Sequence, residues 1–137
     1  MPSFESVLDW RYRHTRTIAR CLALLWASTW VFFGASAGFS EGLTPAKVLL
    51  HAAVPGLIFL LTAAIAWRWE MLGAKLLLLE GLLIFAFYPV ITWGATSLTG
   101  VLLVIFTMAL PPLLAGILLR ENWHRARVLR LLTNRLP

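Results

Sequence analysis

The chain has 137 residues, of which 60% are hydrophobic and only 13% charged, with a mean hydropathy of +0.81. An ordinary soluble domain is excluded, since such domains carry about 45–50% apolar and about 25% charged residues. The net charge of +6 does not indicate nucleic acid, because most basic residues lie at the two ends of the chain and no nucleic-acid-binding module presents them. Cys21 is the only cysteine, which rules out an internal disulfide or a cysteine-based metal cluster.

Four apolar stretches run from Ile18 to Phe39, Val48 to Trp67, Met71 to Ile91 and Leu98 to Leu119, interrupted by charge only at Arg20, Lys75 and Glu80. Each approaches the roughly 20 residues that a helix needs to cross about 30 Å of hydrocarbon. The expected fold is all-α: one integral-membrane domain over residues 1–137 with four transmembrane helices, flanked by short interfacial amphipathic arms over 1–17 and 120–137.

The first stretch has basic residues before it and Ala35-Ser36-Ala37 near its end, which imitates a secretory signal. It is too long for a typical signal core and contains two tryptophans, so it reads as a transmembrane helix. Trp26, Trp30 and Phe33 repeat at i, i+4 and i+7 and form one face of it. That face suits packing against a neighbouring helix or lipid, or contact with a partner or a hydrophobic ligand.

In the second stretch His51 sits among Ala52, Ala53, Pro55 and Gly56. A lone histidine in such a place is expected to be a buried, hydrogen-bonded packing residue. Axial ligation of a haem or chlorophyll-type macrocycle is the alternative, since the small neighbours leave room for a flat ring; otherwise no cofactor is expected. Pro55 is expected to break this helix.

Trp67-Arg68-Trp69-Glu70 leaves few residues for a turn, so the second and third helices should form a tight antiparallel hairpin. Glu80 then lies about 13 Å along the third helix at 1.5 Å per residue, near the middle of a bilayer. A charged carboxylate costs several kcal/mol at that depth, so it is expected to be neutral, paired or turned into the protein interior. Gly73, Leu77, Gly81, Ile84 and Tyr88 share its face, and the glycines permit close helix approach. Glu80, His51 and Tyr88 are the candidate intramembrane polar residues, in a proton-linked or an inter-helix role; His51 and Glu80 differ in depth by roughly 10 Å, so a water or the Tyr88 hydroxyl would have to bridge them.

Pro111-Pro112 is expected to interrupt the fourth helix, freeing the carbonyls of Thr107 and Met108. A protonated Glu80 donating to one of them would account for both features. Beyond it, Arg120, Arg125, Arg127 and Arg130 alternate with apolar residues. With Arg11, Arg13 and Arg16 of the N-terminal arm they should lie on anionic lipid headgroups.

Four crossings place Arg11, Arg13, Arg16, Arg20, Arg68, Lys75, Arg120, Arg125, Arg127, Arg130 and Arg135 on one side, with Lys47 alone on the other. Both termini should therefore face the cytoplasm. Trp10, Trp67, Trp69 and Trp123 fall at that boundary, and Tyr88 and Trp93 near the opposite one.

The stretch from His51 to Pro55, followed by Ala66-Trp67-Arg68-Trp69-Glu70, Gly73 and an apolar helix, resembles a class of small uncharacterised prokaryotic membrane proteins with four helices and a Trp-Arg-Trp-Glu hairpin turn. The resemblance covers helices two to four and implies a topology and a prokaryotic inner membrane, without a chemistry. The chain does not resemble the small multidrug exporters, whose essential glutamate lies in the first helix, nor the four-helix thiol oxidoreductases, whose cysteines it lacks. No nucleophile–base pair or metal set is visible, so no enzyme is expected. Two functions stay open: an accessory or scaffold subunit packing against other membrane proteins or copies of itself, and a minimal proton-linked carrier or channel using Glu80.

Overall fold

The structure is a computed structural model that describes residues 4–54, 56–92, 94–95 and 97–133. Its elements are α1 (Phe4–Ser40), α2 (Pro45–Ala53), α3 (Gly56–Arg68), α4 (Glu70–Ile91), α5 (Leu98–Val104), one π-helical turn (Ile105–Ala109) and α6 (Leu110–Thr133). Three helices are long and apolar enough to cross a membrane, and a fourth span results if α2 and α3, bent by 47° to each other, count as one. Pro55, the expected breaker, lies outside the described residues.

The arms do not form separate helices. No proline or glycine stands between Phe4 and Phe33, so nothing interrupts the i to i−4 ladder, and α1 runs unbroken for 37 residues. At about 1.5 Å per residue it is roughly 55 Å long, well beyond the roughly 30 Å of a hydrocarbon core. The C-terminal arm likewise continues α6 to Thr133. α1 stops where Gly42 takes φ +67 and Leu43 N–H donates to Gly38 O at 3.1 Å. That left-handed cap satisfies a terminal carbonyl, and Pro45 then opens α2 at a position where its missing N–H costs nothing.

The fourth apolar stretch is also not interrupted at Pro111-Pro112. The chain widens one turn earlier: Leu110 N–H donates to Ile105 O, five residues back. A wider turn relieves the clash between a proline ring and the carbonyl four residues before it. Both prolines thus sit inside α6, with Pro112 fully buried.

The helices alternate in direction. Trp26 of α1 stacks on Phe59 of α3 at 4.2 Å between ring centroids, and Gly56 meets Val31. Trp69 alone separates α3 from α4, with Gly73 backed onto Ala66. Gly81 meets Leu113 and Ala109, and Gly116 meets Leu78 and Ala74, which sets α4 antiparallel to α6. The interior is built mainly from alanines on α1, α3, α4 and α6 around Trp26, Phe59, Leu77 and Leu119, whereas Phe32, Leu61, Leu82 and Phe106 are among many large side chains left outside. The start of α1, the α3–α4 turn and the end of α6 share one end of the bundle, which is the basic end.

A side chain at position 73 would lie 2.1 Å from Ala66 Cα, so Gly73→Val must push α3 and α4 apart. Its cost should be about 1–3 kcal/mol, read as a lowered melting temperature in detergent. Ala64→Val, on an exposed face of α3, should leave the melt unchanged.

Candidate functional site

Two polar clusters interrupt the apolar interior, one midway along the bundle and one at its basic end. In the first, Thr62 Oγ1 of α3 donates to Glu80 Oε1 of α4 at 2.6 Å. Thr62 is buried, Glu80 half-buried, and Glu80 Oε2 is enclosed without a hydrogen-bond partner. Gly73, Ala74, Leu77 and Gly81 bury one side of α4 against its neighbours, which brings Thr62 within reach of the carboxyl. The Glu80 bond therefore goes to the α3 hydroxyl and not to the carbonyls of Thr107 or Met108. A Thr/Glu pair across two packed helices can hold a proton on the carboxyl.

His51 does not join this site. Its side chain is exposed, because α2 turns its small residues toward α1: Gly34 lies against the backbone of His51 and Ala52, and Gly38 against Val48. Close backbone packing there puts the imidazole on the outer surface. Tyr88 is half-buried two turns beyond Glu80, and its backbone carbonyl accepts from Thr92 Oγ1 at 2.8 Å. His51 and Glu80 thus lie apart, as their difference in depth requires, and Glu80 is left with Thr62.

The aromatic face of α1 also divides. Trp26 is only 4% exposed and belongs to the chain's own core, so it is closed to any partner. Trp30 is half-buried beside it, and Phe33, 5.6 Å from Trp30 between centroids, is 62% exposed. Phe33 lies within about 20° of Trp26 around α1, so its exposure follows from its place along the helix: α3 begins at Gly56, which meets Val31, and Phe33 lies beyond that contact.

The second cluster lies at the basic end. Arg16 Nε of α1 pairs with Glu70 Oε1 of α4, and Arg20 Nη2 lies 3.6 Å from the same oxygen. Arg20 also donates to Trp67 O at 2.6 Å and stands 5.3 Å over the Trp67 ring. The side chains of Arg20 and Glu70 are 13% and 10% exposed, against 38% for Arg16. Two guanidiniums on one carboxylate leave a net positive cluster, in which Arg16 makes the closer contact with Glu70 and Arg20 the more enclosed one. The carbonyl of Trp67 is an acceptor at the end of α3 that has no intrahelical partner, and Arg20 fills that need.

Asn122 of α6 is fully buried, and neither its Nδ2 nor its Oδ1 has a hydrogen-bond partner. The α4–α6 register set by Gly81 and Gly116 puts it level with Glu70. In the sequence, Arg16 and Arg20 belong to the basic flank, Arg20 just inside the first apolar stretch, and Glu70 to the turn. The spacing of Arg16 and Arg20, one turn apart on the face that continues through Ala23 and Ala27, was the available signal for a shared partner. Asn122 continues the Ala115, Leu119 stripe, so its burial was readable from periodicity once the arm is taken as part of α6. Arg11, Arg13, Arg120, Arg125, Arg127 and Arg130 are exposed; Arg13 pairs with Asp9 at 2.6 Å and Arg127 stands over Trp123. Among the described residues no group of three His, Cys, Asp or Glu side chains could hold a metal ion.

A family model described as a domain of unknown function (DUF7670) matches residues 9–130, which span both clusters. No curated protein and no solved structure matches the chain.

Glu70→Ala should cost about 1–3 kcal/mol, since it strands two guanidiniums, and Arg20→Ala should cost more than Arg16→Ala. Asn122→Leu, which removes two unpaired polar atoms at similar volume, should leave stability unchanged or raise it. Denaturant titration in detergent reads all four variants. For the central pair, Glu80→Gln keeps an acceptor for Thr62 and should be tolerated, whereas Glu80→Ala should lose about 1–3 kcal/mol; equal losses would show that the Thr62 bond contributes nothing.

Proposed function

We propose that this chain, which belongs to the DUF7670 family, is a multi-pass accessory or scaffold subunit of a prokaryotic cytoplasmic membrane. Both ends face the cytoplasm, and the chain packs against larger membrane proteins or copies of itself. The observation that carries this reading is the length of α1 and α6. Measured from the level of Glu70, α1 continues about 18 Å and α6 about 16 Å past the α3–α4 turn at 1.5 Å per residue. These are ordered helical extensions rather than short arms lying flat. They bear exposed Trp10 and Val128 beside Arg11, Arg13, Arg125 and Arg130. An exposed tryptophan among arginines has the composition of an interface anchor, and the basic end conforms to the distribution of Lys and Arg on a cytoplasmic face. Of the aromatic face of α1, Trp30 and Phe33 are left for contact with a partner.

A second reading rests on Glu80. An enclosed carboxyl oxygen with no partner, midway along a span, suits a proton-binding site of a minimal carrier or channel. The single central carboxyl, braced by one hydroxyl and without a repeated counterpart, supports the subunit reading over it.

Purified chain reconstituted in liposomes separates the two. The subunit reading expects no pH-driven flux from the chain alone. It also expects a larger assembly in mild detergent that Trp10→Ala with Val128→Ala converts to monomer without changing its melt. Robust flux from the isolated chain, abolished by Glu80→Gln, would overturn it.

A further inference from the structure

Between α4 and α6, Met71, Ala74, Lys75, Leu78 and Arg120 enclose a cleft of about 170 Å³. Two of its five walls are cations, and the side chains of Lys75 and Arg120 make no hydrogen bond or ion pair with any described residue. The nearest carboxylates do not neutralise them. Glu70 is committed to Arg16 and Arg20, and Glu121 points about 100° around α6 from Arg120. We infer that this cleft binds the phosphate of one anionic glycerophospholipid, held between Lys75 and Arg120.

Depth and register support the assignment, which rests on the membrane placement proposed above. Lys75 lies about 7.5 Å along α4 from Glu70 at 1.5 Å per residue, inside the apolar span. The α4–α6 register puts Arg120 roughly one turn nearer the basic end. A lysine at that depth extends its stem toward the interface and keeps its ammonium with the headgroups, which brings it to the height of the Arg120 guanidinium. The other walls, Met71, Ala74 and Leu78, are apolar. Leu79 and Leu82 continue from Lys75 at i+4 and i+7, Ile117 precedes Arg120 by one turn, and all three are exposed. A ligand with a phosphate at the mouth and hydrocarbon running along these residues matches the surface. A free inorganic phosphate would satisfy the cations and leave the apolar track unused.

The test is lipid retention by the full chain in a neutral detergent, measured by native mass spectrometry with phosphatidylglycerol and phosphatidylcholine of identical acyl chains. The expected result is one tightly held phosphatidylglycerol, preferred about 30-fold, which corresponds to about 2 kcal/mol at 1.4 kcal/mol per decade. Lys75→Gln with Arg120→Gln should bring the preference to about twofold or less, while Lys75→Arg with Arg120→Lys should retain it. Arg11→Gln with Arg125→Gln, which alters the basic flank elsewhere, should leave the single tight lipid in place. No preference in the unaltered chain, a preference that survives the Gln pair, or displacement of the lipid by millimolar inorganic phosphate would each overturn the assignment. Flotation with phosphatidylcholine liposomes reports membrane insertion separately: a chain that floats but shows no preference refutes the site alone, and one that does not float refutes the placement with it.

Discussion

Close backbone approach at small residues is what the rest of this structure depends on. Gly73 backs onto Ala66, Gly81 onto Ala109 and Leu113, Gly116 onto Ala74, Gly56 onto Val31 and Gly34 onto Ala52. Large apolar side chains are spent on the outside of the bundle and alanines on the inside, the reverse of a water-soluble core. Where hydrocarbon replaces water, burial of apolar surface no longer drives one helix onto another, and association comes from backbone proximity, dispersion and polar pairing. Helices with these contacts have little tolerance for added volume, so the packing also determines which polar groups can be enclosed.

Three enclosed polar groups show how differently that constraint can be met. Glu80 is accommodated because α3 presents Thr62 across the interface, one donor for one of its oxygens. Glu70 is accommodated by charge, with two arginines of α1 converging on it and one of them also closing the end of α3. Asn122 is accommodated by neither, although it lies level with Glu70. A buried amide without partners costs about 1–3 kcal/mol, so the fold carries that cost at its basic end, where α1, α4 and α6 meet. Glu70 joins α1 to α4 directly, and Asn122 is the buried polar side chain that α6 brings to that height.

Much of the helical pattern could be read from hydropathy: α4 begins within one residue of the expected third stretch, and the tight α3–α4 turn follows from Trp67-Arg68-Trp69-Glu70. Boundaries set by charge were less legible. Arg11 to Arg20 and Arg120 to Arg130 read as separate interfacial arms because they change polarity, yet neither segment contains a glycine or proline that would end the backbone ladder, and each continues the adjoining helix. The prolines misled in the opposite direction, because a widened turn upstream accommodates them. His51 departs from expectation, whereas Trp26 takes the helix-packing role that was one of those expected of its face. Hydropathy could not tell which side of α2 would meet Gly34 and Gly38, and that contact sends the imidazole outward, while the Trp26 ring is taken inward by Phe59.

The π-turn ties the proline segment to the central polar site. It ends at Ala109, whose carbonyl and the Leu113 side chain are the groups Gly81 meets, one residue beyond Glu80. A wide turn rotates the residues after it relative to those before it, so Ile105–Ala109 sets which face of α6 is offered to α4. That face carries Ala109, Pro112, Ala115, Gly116 and Leu119, all buried, and then Asn122. Pro111 and Pro112 make the wide turn necessary, and the rotated face seats α6 against Gly81 next to the carboxyl. The same register places Asn122 beside the height of Glu70 and Arg120 beside the cleft of Lys75. The features that look separate along the chain, a proline pair, a central carboxyl and a basic C-terminal arm, are therefore brought together by the packing of α6 on α4, with the angular setting of α6 fixed at a single turn.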